Sequence, residues 1–322
     1  MPALIDLRRR IKSVRNTQKI TQAMKSVATA KFKQAQNRVL RGRSAWHAQP
    51  DFLDRISPLT LPPVHPLLDF RAELRVTLLV ITSDKGLCGA FNSNLLNHAR
   101  SWLAKKAEVS QVELFLAGKK AAAFFKGQSF PVARIFPTEV QKYGTADYKD
   151  LADDIIRRYT THQTDAVYVA YNEFKSILAP KVTITRLLPI NGDRHLFFKN
   201  NLFSDAPYER EYEKEDGGTT LSKNQPDKYE LKKRCLSPIY EPEKERLLEK
   251  LVPRYILEQV IHYFSESAAA EHAARMMSMD NATKNADELI EKLTLVLNKV
   301  RQAMITTELL EIQSAVEALR DD

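Results

Sequence analysis

The sequence predicts an α+β / α/β protein: a long antiparallel coiled coil of the N- and C-terminal helices, plus an α/β domain with a mainly parallel five-stranded sheet. Three observations predict it. Met279, Ala282, Ala286, Leu289, Leu293, Val296, Val300, Ala303, Thr307 and Leu310 fall in a 3-4-3-4 spacing. Such a stripe stays on one helix face, against a partner helix. Leu4, Leu7, Ile11, Val14, Gln18, Thr21, Lys25, Ala28, Phe32, Ala35 and Val39 keep the same spacing at the other end of the chain. Between them, from residue 74 to about 190, β-rich runs alternate with helical ones. That alternation points to a Rossmann-like domain, with helices on both faces of its sheet.

Taken in order, residues 1–57 read as one N-terminal coiled-coil helix. Pro2 is tolerated at its start, where an amide donor would be free anyway, and no glycine occurs before Gly42. Pro50 is expected to kink the helix or end it early. At 1.5 Å per residue the helix is roughly 80 Å long, more than the diameter of a small domain. Part of it must therefore lie on a partner helix or another subunit. Residues 58–73 form a Pro-rich connector, with Pro58, Pro62, Pro63 and Pro66.

The α/β domain spans 74–195. Leu74 to Ile81 is its first strand, followed by a turn and a helix from Asn94 to Lys105. Val112 to Ala117 is the second strand, with a short helix from Lys119. Val132 to Phe136 is the third strand, and Tyr148 to Tyr159 another helix. Ala166 to Tyr171 and Val182 to Leu188 are the fourth and fifth strands. Residues 196–237 form a polar insertion with Pro207, Pro226 and little apolar periodicity, which reads as a mobile or weakly ordered segment. Residues 238–322 return as the C-terminal helix. Its start at Glu241-Pro242-Glu243 places acids in the first turn, and Pro253 is expected to kink it.

Composition narrows the function classes. With 322 residues and 43% hydrophobic content, the chain can bury a sizeable core. No apolar run approaches the ~20 residues that span a bilayer, and no secretory signal is expected. Cys88 and Cys235 make neither a disulfide framework nor a metal-ligand spacing, and read as reduced thiols. The net charge is +9, and its placement says more than its sum. The first 45 residues carry Arg8, Arg9, Arg10, Lys12, Arg15, Lys19, Lys25, Lys31, Lys33, Arg38, Arg41 and Arg43, opposed only by Asp6. So one-sided a helix suggests an acidic partner.

No catalytic set stands out. The seven histidines show no zinc spacing, and there is no Gly-x-Ser-x-Gly elbow. The loop Thr82 to Asn92, TSDKGLCGAFN, follows a strand and precedes a helix as a phosphate cradle would. It lacks the Gly-Lys-Ser/Thr of a P-loop and the spacing of a dinucleotide fingerprint. A tight turn eased by its glycines therefore outweighs nucleotide binding, with some other interaction left open. The basic first helix could meet nucleic acid. However, only Phe32 and Trp46 supply aromatics there, and its apolar stripe commits one face to packing, so acidic protein partners or a plain solvated face fit better. Gln18, Thr21 and Lys25 interrupt the stripe while Ile20, Met24 and Val27 carry apolar surface to a neighbouring face. At the far end, Leu309, Leu310, Ile312, Ala315, Val316, Ala318 and Leu319 cover more than one helix face, which calls for a sleeve of other chains.

Three motifs together resemble the gamma subunit family of the F-type ATP synthase, across nearly the whole chain. They are IDLRRRIKSVRNTQKITQAMKSVATAKF from Ile5, ITSDKGLCGAFN from Ile81, and AARMMSMDNATKNADELI from Ala273 with NKVRQAMITTELLEI from Asn298. The resemblance implies a central rotor shaft with no catalytic residues, cofactor or metal of its own. The expected partners are the alpha and beta subunits of the catalytic hexamer, the epsilon subunit and the c-subunit ring, with no nucleic acid. The membrane is reached only through the complex, peripherally on the cytoplasmic face of a bacterial cell membrane. Carried over by motif, Met24, Lys25, Arg301, Gln302, Thr306 and Glu308 would contact beta subunits, and Tyr240 and Glu241 would lie at the foot near the c ring. The insertion is longer than in the compact bacterial pattern, and Cys235 has no nearby partner for thiol regulation. The rival reading is a basic coiled-coil nucleic-acid-binding protein with a small-ligand α/β module.

Overall fold

The computed structural model describes residues 2–56, 65–69, 71–136, 144–176, 180–190 and 244–318. The polar insertion, and half of the connector that precedes the α/β domain, lie outside the described residues. Two helices dominate: α1, Pro2–Ile56, and α5, Lys244–Ala318. The α1 stripe behaves as its spacing predicts. Ile11, Thr21, Ala28, Phe32 and Val39 are buried, and Leu4, Leu7, Val14, Gln18, Lys25 and Ala35 are half-buried. Ile20 and Val27 are exposed on the neighbouring face. Helix α1 runs through position 50, and α5 continues through Pro253.

The expected α5 stripe needs a correction beyond Ala286. Leu289 and Val296 are exposed, as is Ala303, whereas Ile290, Leu297 and Met304 are half-buried beside Leu293 and Val300. Leu289-Ile290, Val296-Leu297 and Ala303-Met304 are each adjacent apolar pairs, so spacing alone admits either phase. The partner helix selects the second member of each pair.

Between the helices lie β1 (Arg75–Ile81), α2 (Phe91–Ala107), β2 (Gln111–Ala117), α3 (Lys119–Phe125), β3 (Val132–Phe136), α4 (Thr145–Thr160), β4 (Ala166–Glu173) and β5 (Lys181–Leu188). The strand order is β3-β2-β1-β4-β5. All neighbours are parallel except β5, which runs antiparallel to β4. Alternation along each strand divides the core. Leu78, Val80, Leu114 and Leu116 face Leu95, Ala99 and Leu103 of α2 and Ala121 and Phe125 of α3. Leu79, Ile81, Phe115, Val167 and Val169 face α4 and the lower part of α5, from Leu248 to Phe264. Helix α4 meets this face through Tyr148, Leu151, Ala152, Ile155 and Tyr159, an i, i+3, i+4 pattern. Helix α5 is thus both a sheet-covering helix and half of the coil.

Candidate functional site

The centre of the coil is polar. At its middle Thr21 Oγ1 and Thr283 Oγ1 lie 2.8 Å apart. One turn to one side Gln18 Nε2 donates to Asp287; on the other, Lys25 Nζ donates to Asp280 Oδ1 at 2.6 Å. Asp280 also holds Lys284 Nζ at 2.9 Å, and these cations keep its carboxyl below the usual range, against a small opposing effect of burial. Apolar layers flank this stretch: Ile11 and Val14 on one side, Ala28 and Phe32 on the other. Polar layers of this kind fix register at some cost in stability.

Following the same register, α1 begins level with about position 302 of α5. Among the described residues, the rest of α5 continues past the start of α1 for roughly 20–25 Å, at 1.5 Å per residue. Leu309, Leu310 and Ile312 on this tip are each about 60% exposed (61, 59 and 61%). Arg301, Gln302, Thr306 and Glu308 are exposed there too, and Thr306 Oγ1 bonds back to Gln302 O at 2.9 Å. Met24 is half-buried beside the Lys25–Asp280 pair. Tyr240 and Glu241 lie outside the described residues. The structure therefore brings the first four together on one bare tip, sets Met24 and Lys25 lower on the coil, and leaves a full belt of exposed cations on α1, from Arg8 to Lys19.

A second set of residues joins the coil to the α/β domain. From α5, Glu266 Oε2 accepts the Phe174 backbone N–H at 3.0 Å. From α1, Arg43 Nη2 donates to the Phe174 carbonyl at 2.8 Å and pairs with Glu266 Oε1 at 3.3 Å. The Phe174 ring meets Phe32 edge-on, with centroids 5.4 Å apart, among Ala269, Ala270 and Ala273. These alanines let three elements approach closely. Trp46 stacks on His262 nearby, at 4.4 Å. Spacing gave no sign of this junction. The available signal was the run of polar residues, Gln259, His262, Glu266, Glu271, His272 and Arg275, on a stretch that folds with every side covered.

The Thr82–Asn92 loop docks on the same helix. Arg275, paired with Glu271 at 2.8 Å, donates to the carbonyls of Lys85 and Gly86 at 3.3–3.4 Å. Within the loop, Asn92 Oδ1 accepts from the Ser83 N–H at 3.1 Å, and Asn92 Nδ2 reaches Cys88 Sγ at 3.2 Å. Gly89 takes a positive φ of 58°, the permissive role expected of it. Thr82 Oγ1 instead accepts the Ala121 N–H at 2.9 Å and donates to Ala117 O at 3.2 Å. Its polar atoms thus brace a turn. Cys88 is a buried free thiol, pushed up in pKa by that burial. Among the described residues, no group of His, Cys, Asp and Glu is placed to hold a metal ion, and no helix is long and apolar enough to cross a membrane.

Comparison with known proteins agrees from end to end. A family model described as ATP synthase matches residues 3–319. The ATP synthase gamma chain of Pelotomaculum thermopropionicum is 36% identical over 321 residues, covering 99% of this chain and 100% of that one. That of Desulforudis audaxviator is 38% identical over 319 residues, with 99% and 100% covered. A chain of the Euglena gracilis mitochondrial ATP synthase (OSCP/F1/c-ring) aligns with a TM-score of 0.60 at 21% identity, over 99% of this chain and 95% of that one. One from the Tetrahymena thermophila mitochondrial ATP synthase (central stalk/c-ring) aligns at 0.53 and 21%, over 82% and 99%. The two structures speak for the fold, and the sequence matches speak for descent. This chain belongs to the ATP synthase gamma-chain family.

Proposed function

We propose that the protein is the central-stalk rotor of an F-type ATP synthase. It passes the turning of a proton-driven c ring to the catalytic beta subunits and performs no bond chemistry itself. The bare apolar tip of α5 carries this reading. A helix end exposing Leu309, Leu310 and Ile312 offers an apolar surface suited to a collar of other chains, here the alpha and beta subunits. The coil below it is a single asymmetric rod, so three sites around it meet three different faces. A ligand-binding equilibrium shifts only when contacts differ between states, and turning such a rod supplies that difference. Exposed cations on α1 suit acidic beta-subunit loops, because exposed ion pairs are individually weak and re-form at little net cost. Arg301, Gln302, Thr306 and Glu308 would grip the upper beta-subunit loops, with Met24 and Lys25 meeting the lower ones. Tyr240 and Glu241 belong to the foot, near the c ring and the epsilon subunit. The complex then holds the protein at the cytoplasmic face of a bacterial membrane.

The test is reconstitution. The chain is combined with alpha and beta subunits, a bead is fixed to the α/β domain, and ATP is added. Unidirectional turning supports the rotor. A chain that elutes alone and binds DNA with a steep salt dependence would instead support the nucleic-acid reading.

A further inference from the structure

The junction at Phe174 ties three elements through one peptide. Phe174 directly follows β4, which is hydrogen-bonded to β1 on one side and β5 on the other. A grip on Phe174 is therefore a grip on the whole sheet. Its N–H is held by Glu266 of α5 and its C=O by Arg43 of α1, and these two side chains pair with each other. The Glu266 side chain is only 3% exposed and that of Arg43 is 35% exposed. Charge-assisted hydrogen bonds shielded from water are the stronger kind. Rolling the domain about the coil would have to break the bonds to Phe174, and sliding α1 along α5 would have to break the Arg43–Glu266 pair. The other polar attachment, Arg275 on the Lys85 and Gly86 carbonyls, is longer and touches a loop rather than the sheet, and the apolar packing of Leu248 to Phe264 of α5 on the sheet includes no described residue of α1.

We propose that Arg43, Glu266 and Phe174 form the torsional joint of the molecule, the positioning set that decides how faithfully a turn of the α/β domain is delivered to the coil. The joint's rigidity is a property of this fold; its use in transmitting torque rests on the rotor reading above.

Two variants grade the joint. Glu266→Gln keeps an acceptor for the Phe174 N–H but loses the charge that Arg43 pairs with, and Glu266→Ala removes both. Arg43→Gln attacks it from the other helix. In the full chain, hydrogen exchange at the Phe174 amide should rise about tenfold in Glu266→Ala and less in Glu266→Gln, while the Val169 amide stays protected. Spin labels on ketone-bearing residues at exposed Lys33 and Lys149 should give a distance distribution that broadens in the order wild type, Gln, Ala. Unchanged widths in all three variants would overturn the joint, whatever the exchange data show. In the reconstituted complex, a bead on the domain should show wider angular fluctuation in the same order at an unaltered rate of ATP hydrolysis. Broadened label distances with a wild-type bead that never turns would instead remove the rotor reading and leave the joint standing.

Discussion

Thr21 of α1 and Thr283 of α5 bring their hydroxyl oxygens to 2.8 Å at the centre of the coil. Each hydroxyl is also within reach of a carbonyl on its own helix: Gln18 O at 2.9 Å and Met279 O at 2.8 Å. Two hydrogens serve three contacts, so one threonine donates across while the other donates along its helix. The pair sits between the Gln18–Asp287 and Lys25–Asp280 contacts. Together they form a polar layer that matches only one alignment of the two helices.

Replacing one threonine by valine removes the cross-helix bond without orphaning the other hydroxyl, which keeps its own-helix carbonyl. Thr21→Val or Thr283→Val should therefore cost about 0.5–1 kcal/mol. The double variant should cost no more than either single and can gain stability, since two methyls then meet where two hydroxyls did. Urea unfolding of the four proteins in a double-mutant cycle measures this, and strictly additive losses would contradict it.

Gly42 lies in the middle of α1, where glycine weakens a helix, and its neighbour explains it. A Cβ there would stand 2.3 Å from the ring of Trp46, which is itself fixed by stacking on His262. Gly42→Ala should destabilise the protein by about 1–2 kcal/mol despite the better helix former, because overpacking outweighs propensity. It should also alter Trp46 fluorescence. A gain in melting temperature would show that the ring can move aside freely.

His272 is buried on α5, and its pKa is lowered to about 4, first by that burial and then by the charges of Arg275 and Lys31. In the unfolded chain it protonates near 6.5, so between about 6.5 and 4 the unfolded state binds the extra proton. Stability from this group is present above 6.5 and falls as the pH drops through that window. From pH 7 to pH 5 the loss should be about 2 kcal/mol, at 1.36 kcal/mol per unit. His272→Gln should flatten this part of the profile, measured as the difference between the two proteins in urea at each pH. Asp154 and Glu73 are not expected to interfere. Burial raises each, but hydrogen bonds from Arg134 and Arg157 and from Lys106 and Tyr168, respectively, bring both below ordinary carboxylate values.

Arg301 is exposed where the two-helix part of the coil ends. Arg301→Ala should leave unfolding within about 0.5 kcal/mol of wild type, as surface changes generally do. Coupled ATP synthesis in the reconstituted complex should fall. Normal synthesis in the variant would count against the tip as the gripping surface.

Much of this architecture is legible in the amino-acid sequence. The 3-4 stripe from Leu4 to Val39 names the buried face of α1, and the five β-rich runs match the five strands. Each rests on a local period that the backbone imposes. What stayed hidden is non-local. Leu289 or Ile290, Val296 or Leu297: the sequence offers both members of each pair to the seam. Arg43 counts among the cations of the first helix, and nothing in the local sequence of Glu266 or Arg43 marks Phe174 as their shared target.

The amino-acid order by itself therefore determined which segments are helix or strand, that the two ends are matched for pairing, and that the first helix is overwhelmingly cationic. Only the tertiary structure decided the phase of α5, the antiparallel setting of β5, and the burial of Glu266 and His272. Periodicity is written within one or two turns of chain. Those outcomes depend on packing between residues as far apart as Arg43 and Glu266, 223 positions along the chain, where the contact itself settles which of several locally equivalent faces is turned inward.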